Sequence, residues 1–231
     1  MKAKALFITL EGIDGTGKTT QHRLLVEHLR TLGWKVCDTR EPGGTKIGEM
    51  IRSLLMDEHN KHLDPMTELA LIYAARAQHL REVVRPALEQ GKVVVSDRFN
   101  DASLAYQGYG RKLGTTAVHV LDRLICGHTQ PGLTLVLDLP AVQSLARARS
   151  RDRSGTGRFE AQGVDFQERV RQGYLTVARR EPGRVKIIRA HRSVEDVQAE
   201  IRDLVEAFLA GRRRGARPRK PSPSSSRKRN R

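Results

Sequence analysis

Cysteine is almost missing from this chain: Cys37 and Cys126 are the only two, far apart and in no Cys-x-x-Cys pair. A disulfide framework is therefore not expected. Cys126 and His128 lack the further ligands a zinc site needs, and a buried thiol is the better reading. Long apolar runs are missing too. The stretch Ala5–Leu10 is too short for a signal-peptide core, and no segment reaches bilayer-spanning length, so a soluble, cytoplasmic protein is expected. Residues 211–231 lack Asp, Glu and every large apolar side chain, while carrying ten Lys or Arg. Such a segment cannot bury a core and is expected to be a disordered tail. It also lacks aromatic residues to stack on bases, so specific recognition is not expected of it, while phosphate contacts with nucleic acid or contacts with acidic surfaces remain open. The formal net charge is +16, and setting the tail aside leaves +6 for residues 1–210. A surplus of that size suits a protein that handles phosphate-rich ligands.

Short aliphatic runs at Ala5–Leu10, Lys35–Thr39, Lys92–Ser96, Leu133–Asp138 and Val185–Arg189 alternate with helical patterns. Several are apolar with little alternation, as strands covered on both faces require. Leu25, Leu29 and Leu32 recur at helical spacing and Gly33 follows as a stop; Pro65 opens a long helix that Pro86 should bend or break. This alternation predicts an α/β fold, a doubly wound parallel sheet of five strands with flanking helices. Residues 147–163 crowd arginines among Ser, Gly and Thr and read as a mobile basic loop.

The strongest motif is Gly12-Ile13-Asp14-Gly15-Thr16-Gly17-Lys18-Thr19, which satisfies Gly-x-x-x-x-Gly-Lys-Thr between a strand and an amphipathic helix. Glycines let backbone N–H groups turn around phosphate oxygens, and the helix N-terminus adds its positive dipole end. Lys18 would bridge the transferring phosphates of ATP, the Thr19 hydroxyl would sit on Mg2+, and Thr20 is counted with the loop as ATP-binding. A guanine-reading Asn-Lys-x-Asp is approached by Asn60-Lys61-His62-Leu63-Asp64, which has one residue too many. Asp64 is more simply the cap of the helix opening at Pro65.

Two further segments follow strands and so fall at the same sheet edge. One is Thr39-Arg40-Glu41-Pro42-Gly43-Gly44-Thr45; the other is Asp97-Arg98-Phe99 with Ser103-Leu104-Ala105-Tyr106-Gln107-Gly108. Asp97 at a strand end can hold Mg2+ or its waters, and Arg98 can clamp phosphate. With Tyr73-Ala74-Ala75-Arg76-Ala77-Gln78-His79, Pro131–Asp138, Arg158-Phe159-Glu160 and Asp165–Val170, these motifs in this order resemble the bacterial thymidylate kinases from about Lys4 to Leu209.

That resemblance implies a P-loop NTPase-like domain over residues 1–210 with a short lid at about 147–163. It implies ATP- and Mg2+-dependent phosphorylation of dTMP to dTDP, on the route to dTTP, by a homodimer. Arg98 and Arg52 would hold the acceptor phosphate, with Asp14 and Glu41 beside the acceptor sugar and phosphate. Arg76, Ser103 and Gln107 would read the base edge, and Tyr106 would exclude a 2′-hydroxyl. Arg158 would supply the lid cation, with Arg149, Arg151 and Arg153 as weaker candidates. Three positions depart from the family pattern. Ile72 stands where phenylalanine often stacks on thymine, Gly157 replaces an acid before the lid arginine, and Arg189 replaces an acid near the adenine loop. Alternatives are a kinase for another nucleoside monophosphate or a deoxynucleoside, and a non-enzymatic nucleic-acid-binding P-loop protein.

Overall fold

The computed structural model describes residues 6–151 and 162–213. Five strands, β1 (Phe7–Glu11), β2 (Val36–Arg40), β3 (Val93–Asp97), β4 (Leu133–Asp138) and β5 (Val185–Arg189), form one parallel sheet in the order β2-β3-β1-β4-β5. The near-continuous apolarity of β1, β3 and β4 has a direct cause: successive residues feed two cores. Ile8, Leu10, Val93, Val95 and Leu135 pack with Leu25 and Leu29 of α1 (Lys18–Thr31) and Ile201 and Val205 of α9 (Val194–Arg213). Phe7, Val94 and Val136 face the other way, toward Leu69 and Tyr73 of α3 (Pro65–His79) and Phe166, Val170 and Tyr174 of α8 (Gly163–Arg180). Each such side chain contributes about 1.5–3 kcal/mol on burial, so both faces are strongly committed.

β1, β2 and β3 each run one residue beyond the apolar stretch that marks them, taking in Glu11, Arg40 and Asp97. Backbone pairing continues where hydropathy stops, as in the register pairs Leu10 with Asp97 and Arg40 with Asp97. Asp64 caps α3 as expected, accepting from Met66 N at 2.9 Å and Thr67 N at 3.0 Å. That helix does not end at Pro86. It widens into a π-helical stretch, Leu80–Val84, and continues as α4 (Arg85–Glu89), which accommodates the missing proline N–H. α2 (Lys46–Met56), α5 (Asn100–Ser103), α6 (Thr116–Leu121), α7 (Ala141–Arg151) and two further π-helical stretches (Leu104–Gly110 and Asp122–Cys126) complete the layers.

Two expected boundaries shift. α7 extends to Arg151 and α8 begins at Gly163, so both ends of the anticipated 147–163 loop are helical. α9 continues through Arg213, three residues into the anticipated tail. Arg153, Gly157, Arg158 and residues 214–231 lie outside the described residues. No helix among the described residues is long and apolar enough to cross a membrane.

Candidate active site

The strand order reverses on either side of β1, and the loops after β1, β2 and β3 meet over the C-terminal sheet edge. Open α/β sheets bind ligands there. The loop after β1 is pressed against α7: a Cβ built on Gly15 would lie 2.0 Å from the Ser144 carbonyl oxygen, and Gly15 has φ +89°. Only glycine fits that approach. Ser144 Oγ also donates to Asp14 O over 2.5 Å, so α7 braces the loop from behind.

Lys18 opens α1 and turns back over the loop, donating to Ile13 O at 2.9 Å and lying 3.7 Å from Asp14. Thr16 Oγ1 donates to the same carbonyl. Burial, with the nearby Arg98, pushes the Lys18 ammonium down to about 8 against the attraction of Asp14, Asp97 and Glu11. Arg98 follows β3 in the left-handed region, φ 71°. Its N–H donates to Leu10 O and its carbonyl accepts from Ser96 Oγ, holding a conformation that costs on the order of 1–3 kcal/mol. The guanidinium thereby reaches Asp14 Oδ1 at 2.6 Å, Gly12 O at 2.9 Å and the Tyr174 hydroxyl at 3.2 Å. Burial would raise the Asp14 carboxyl, but Arg98 and Lys18 outweigh it and hold Asp14 below the usual range.

Glu41, in the loop after β2, is buried between the side chains of Arg76 and His79. It accepts from Arg76 Nε at 2.7 Å and pairs with His79 Nδ1 at 2.8 Å, while His79 Nε2 meets Thr39 Oγ1 at 2.6 Å. Burial alone would raise its pKa; Arg76 and His79 bring it below the ordinary value. Arg76 also donates to Ser103 Oγ and Asn100 Oδ1 through Nη1 and to Phe99 O through Nη2. It is thus a rigid donor set in the cleft wall. Arg52 donates to Pro42 O at 2.9 Å.

Two cavities open onto this centre. One, of about 220 Å³, is walled by Leu55, Ile72, Arg76, Ser103, Tyr106 and Gln107. The other, of about 910 Å³, is polar and walled by the phosphate-binding loop, with Gly17, Lys18, Thr19 and Asp97. Asp14, Glu41, Arg52 and Arg98 line both. Thr19 is exposed to the larger one, whereas Thr20, half-buried on α1, lines neither.

A family model described as thymidylate kinase matches residues 10–201. The chain belongs to the thymidylate kinase family. It is 51% identical over 197 residues to the thymidylate kinase of Syntrophotalea carbinolica, covering 84% of this chain and 91% of that one. It is 46% identical over 215 residues to that of Desulfovibrio desulfuricans, covering 91% and 99%. Among solved structures, thymidylate kinase from Ehrlichia chaffeensis superposes with a TM-score of 0.69 at 32% identity, covering 87% of this chain and 97% of that one.

Within this family site, sequence reasoning overlooked Glu11. It is fully buried at the end of β1, accepting from Phe99 N and the Tyr174 hydroxyl, each at 2.8 Å. Burial, reinforced by Asp101, pushes its carboxyl up to about 8. The available signal was an acid closing an otherwise apolar strand immediately before the glycine-rich loop. Tyr174, which touches both Glu11 and Arg98, had no local signal.

Proposed function

We propose that this phosphotransferase moves the γ-phosphoryl group of ATP onto a phosphate oxygen of dTMP, giving dTDP and ADP. The observation that carries this reading is the meeting of a phosphate-loop cavity and a smaller, mainly apolar cavity at four shared charged side chains, Asp14, Glu41, Arg52 and Arg98. One P–O bond to ADP breaks and one to the acceptor forms. The acceptor oxygen is already ionised, so the protein's task is alignment and charge stabilisation. Lys18 and the backbone around Gly12, Ile13, Gly15, Thr16 and Gly17 hold the donor phosphates. Arg98 and Arg52 hold the acceptor phosphate, and Arg158 supplies a further cation from the lid. Arg76 offers its remaining Nη2 N–H to a base oxygen, Gln107 and Ser103 complete the base edge, and Ile72 gives its face an aliphatic surface. Tyr106 packs where a 2′-hydroxyl would project.

The donor set fits Mg2+. Asp97 Oδ1 is buried with no hydrogen-bond partner, and the Thr19 hydroxyl opens onto the same cavity; both are hard oxygen ligands. Magnesium bound there with the nucleotide would offset negative charge on the phosphates. Family membership also favours a homodimer, and α2 exposes Ile47, Met50 and Leu54 at helical spacing, an apolar face available to a second copy. The basic tail is open to non-specific nucleic-acid contacts. A coupled assay of purified protein with ATP and a panel of monophosphates tests the central reading. dTMP should be strongly preferred over UMP, CMP and AMP; equal specificity for any ribonucleotide would overturn it.

A further inference from the structure

Glu68 lies on α3, one turn before Ile72, and is fully buried. Three N–H groups converge on it. Arg111 reaches Oε1 through Nε at 3.2 Å and Oε2 through Nη2 at 3.0 Å, and Gln107 Nε2 reaches Oε1 at 2.8 Å. Arg111 is itself fixed, with Nη1 on Gln162 Oε1 at 2.7 Å and its guanidinium 4.8 Å from the Phe166 ring centre. A carboxylate paired in this way can only accept hydrogen bonds. Gln107 can therefore meet it only through its NH2 group.

That constraint matters because a glutamine amide is nearly the same shape in its two orientations, and its partners alone choose between them. Gln107 is buried and lines the smaller cavity. With the NH2 turned to Glu68, the amide oxygen lies on the other side of the group, where it can accept from a ligand. We propose that Glu68 is a positioning residue that locks the Gln107 amide oxygen-outward. The cavity then favours a base carrying an N–H at the edge Gln107 meets, as a pyrimidine-2,4-dione does. A base presenting a lone pair there, as a 4-aminopyrimidine does, sets two acceptors against each other. The inference rests on the reading of Gln107 as a base contact.

The test compares kcat/KM for dTMP and dCMP in the full-length wild type, Gln107→Ala, Glu68→Gln and the double variant Glu68→Gln, Arg111→Met. The double variant removes both charges of the pair together and keeps an apolar stem against Phe166, so it covers the case in which Glu68→Gln alone does not fold. A neutral amide at 68 can donate or accept and no longer dictates the orientation of Gln107. The preference for dTMP over dCMP should fall at least about tenfold in either Glu68 variant, because a mismatched polar contact is what discriminates. If Gln107→Ala loses the preference but the Glu68 variants keep it, Glu68 does not act on Gln107 and the proposal falls while the base contact stands. A merely structural Glu68 would lower both substrates equally, which also overturns it. If Gln107→Ala leaves the preference unchanged, the base-contact reading itself fails. In the wild type, the Gln107 side-chain amide signal, assigned by its loss in Gln107→Ala, should keep its hydrogen-bonded shift when dTMP binds. A large shift would place the NH2 toward the base and overturn the proposal without any variant at position 68.

Discussion

Arg98 Nη2 donates to Asp14 Oδ1 over 2.6 Å, and this pair ties the turn after β3 to the middle of the phosphate-binding loop. The link sets the distance between the group that would clamp the acceptor and the loop that would clamp the donor. It also explains why a left-handed arginine is retained: the backbone bonds to Leu10 and Ser96 aim the side chain at the loop.

Removing either cation should therefore affect chemistry more than folding. Arg98→Ala and Lys18→Ala are each expected to lower turnover by about a hundredfold or more, as loss of a preorganised transition-state contact does. Steady-state kinetics, with circular dichroism to confirm the fold, checks this. A folded variant with near wild-type turnover would remove that residue from the catalytic set.

Glu11 supplies a pH prediction whose sign follows from its raised pKa of about 8 against an ordinary 4.5. The folded protein keeps a proton that the unfolded chain releases between these values. Stability from this group is complete below pH 4.5, declines as pH rises, and is lost above about pH 8. Glu11→Gln keeps a neutral group and removes that slope. Urea unfolding from pH 5 to 8 should show wild-type stability falling relative to Glu11→Gln by up to about 1.4 kcal/mol per pH unit. Lys18, lowered to about 8 from 10.5, gives the opposite slope between those values and so does not mask the effect. Parallel curves for the two proteins would mean that Glu11 is ionised throughout.

The features legible in the sequence are local ones. The strand runs, the glycine-rich loop and the Asp64 cap each need only a few consecutive residues. What stayed hidden depends on partners distant in the chain. Glu11 meets Tyr174 across 163 positions, and Glu68 meets Arg111 across 43. An acid reads as surface until its cation or hydroxyl is known to arrive from another helix. The π-helical stretches were hidden for a related reason. Leu80–Val84 and Leu104–Gly110 keep helical composition while their backbone pairing changes. Arg76 and Glu41 both stand in recognisable motifs, yet their pairing at 2.7 Å was not legible, because it joins the loop after β2 to α3.

The lid prediction centres on Arg158, outside the described residues, and rests on the family pattern. The phosphate-binding loop contributes Lys18 as its cation, and Ile13, Asp14 and Thr16 add none. Arg158→Ala should reduce turnover at least about tenfold, as arginine fingers are worth that or more, with a smaller change in the Michaelis constant for ATP. Arg151→Ala and Arg153→Ala should each do less. If one of those two proved the costly substitution, the lid register would be shifted along the chain.

The last prediction concerns sugar selection. Tyr106 is buried at the cleft wall with its hydroxyl 3.5 Å from Asp14 Oδ2. The Arg98 guanidinium lies 4.8 Å from its ring centre, and the rings of Phe166 and Tyr174 stand edge-on at 6.2 and 6.4 Å. A ring held from three directions cannot swing aside to admit an extra hydroxyl, so exclusion would come from bulk and not from a hydrogen bond. Tyr106→Phe keeps the bulk and should preserve the preference for dTMP over its ribose counterpart within about threefold. Tyr106→Ala opens the wall and should lower that preference about tenfold or more, within the 1–3 kcal/mol that a small steric difference commands. Ratios of kcat/KM for the two nucleotides decide the point. A collapse of the preference in Tyr106→Phe would show that the hydroxyl, through Asp14, does the selecting. An unchanged ratio in Tyr106→Ala would place the selection elsewhere in the cleft.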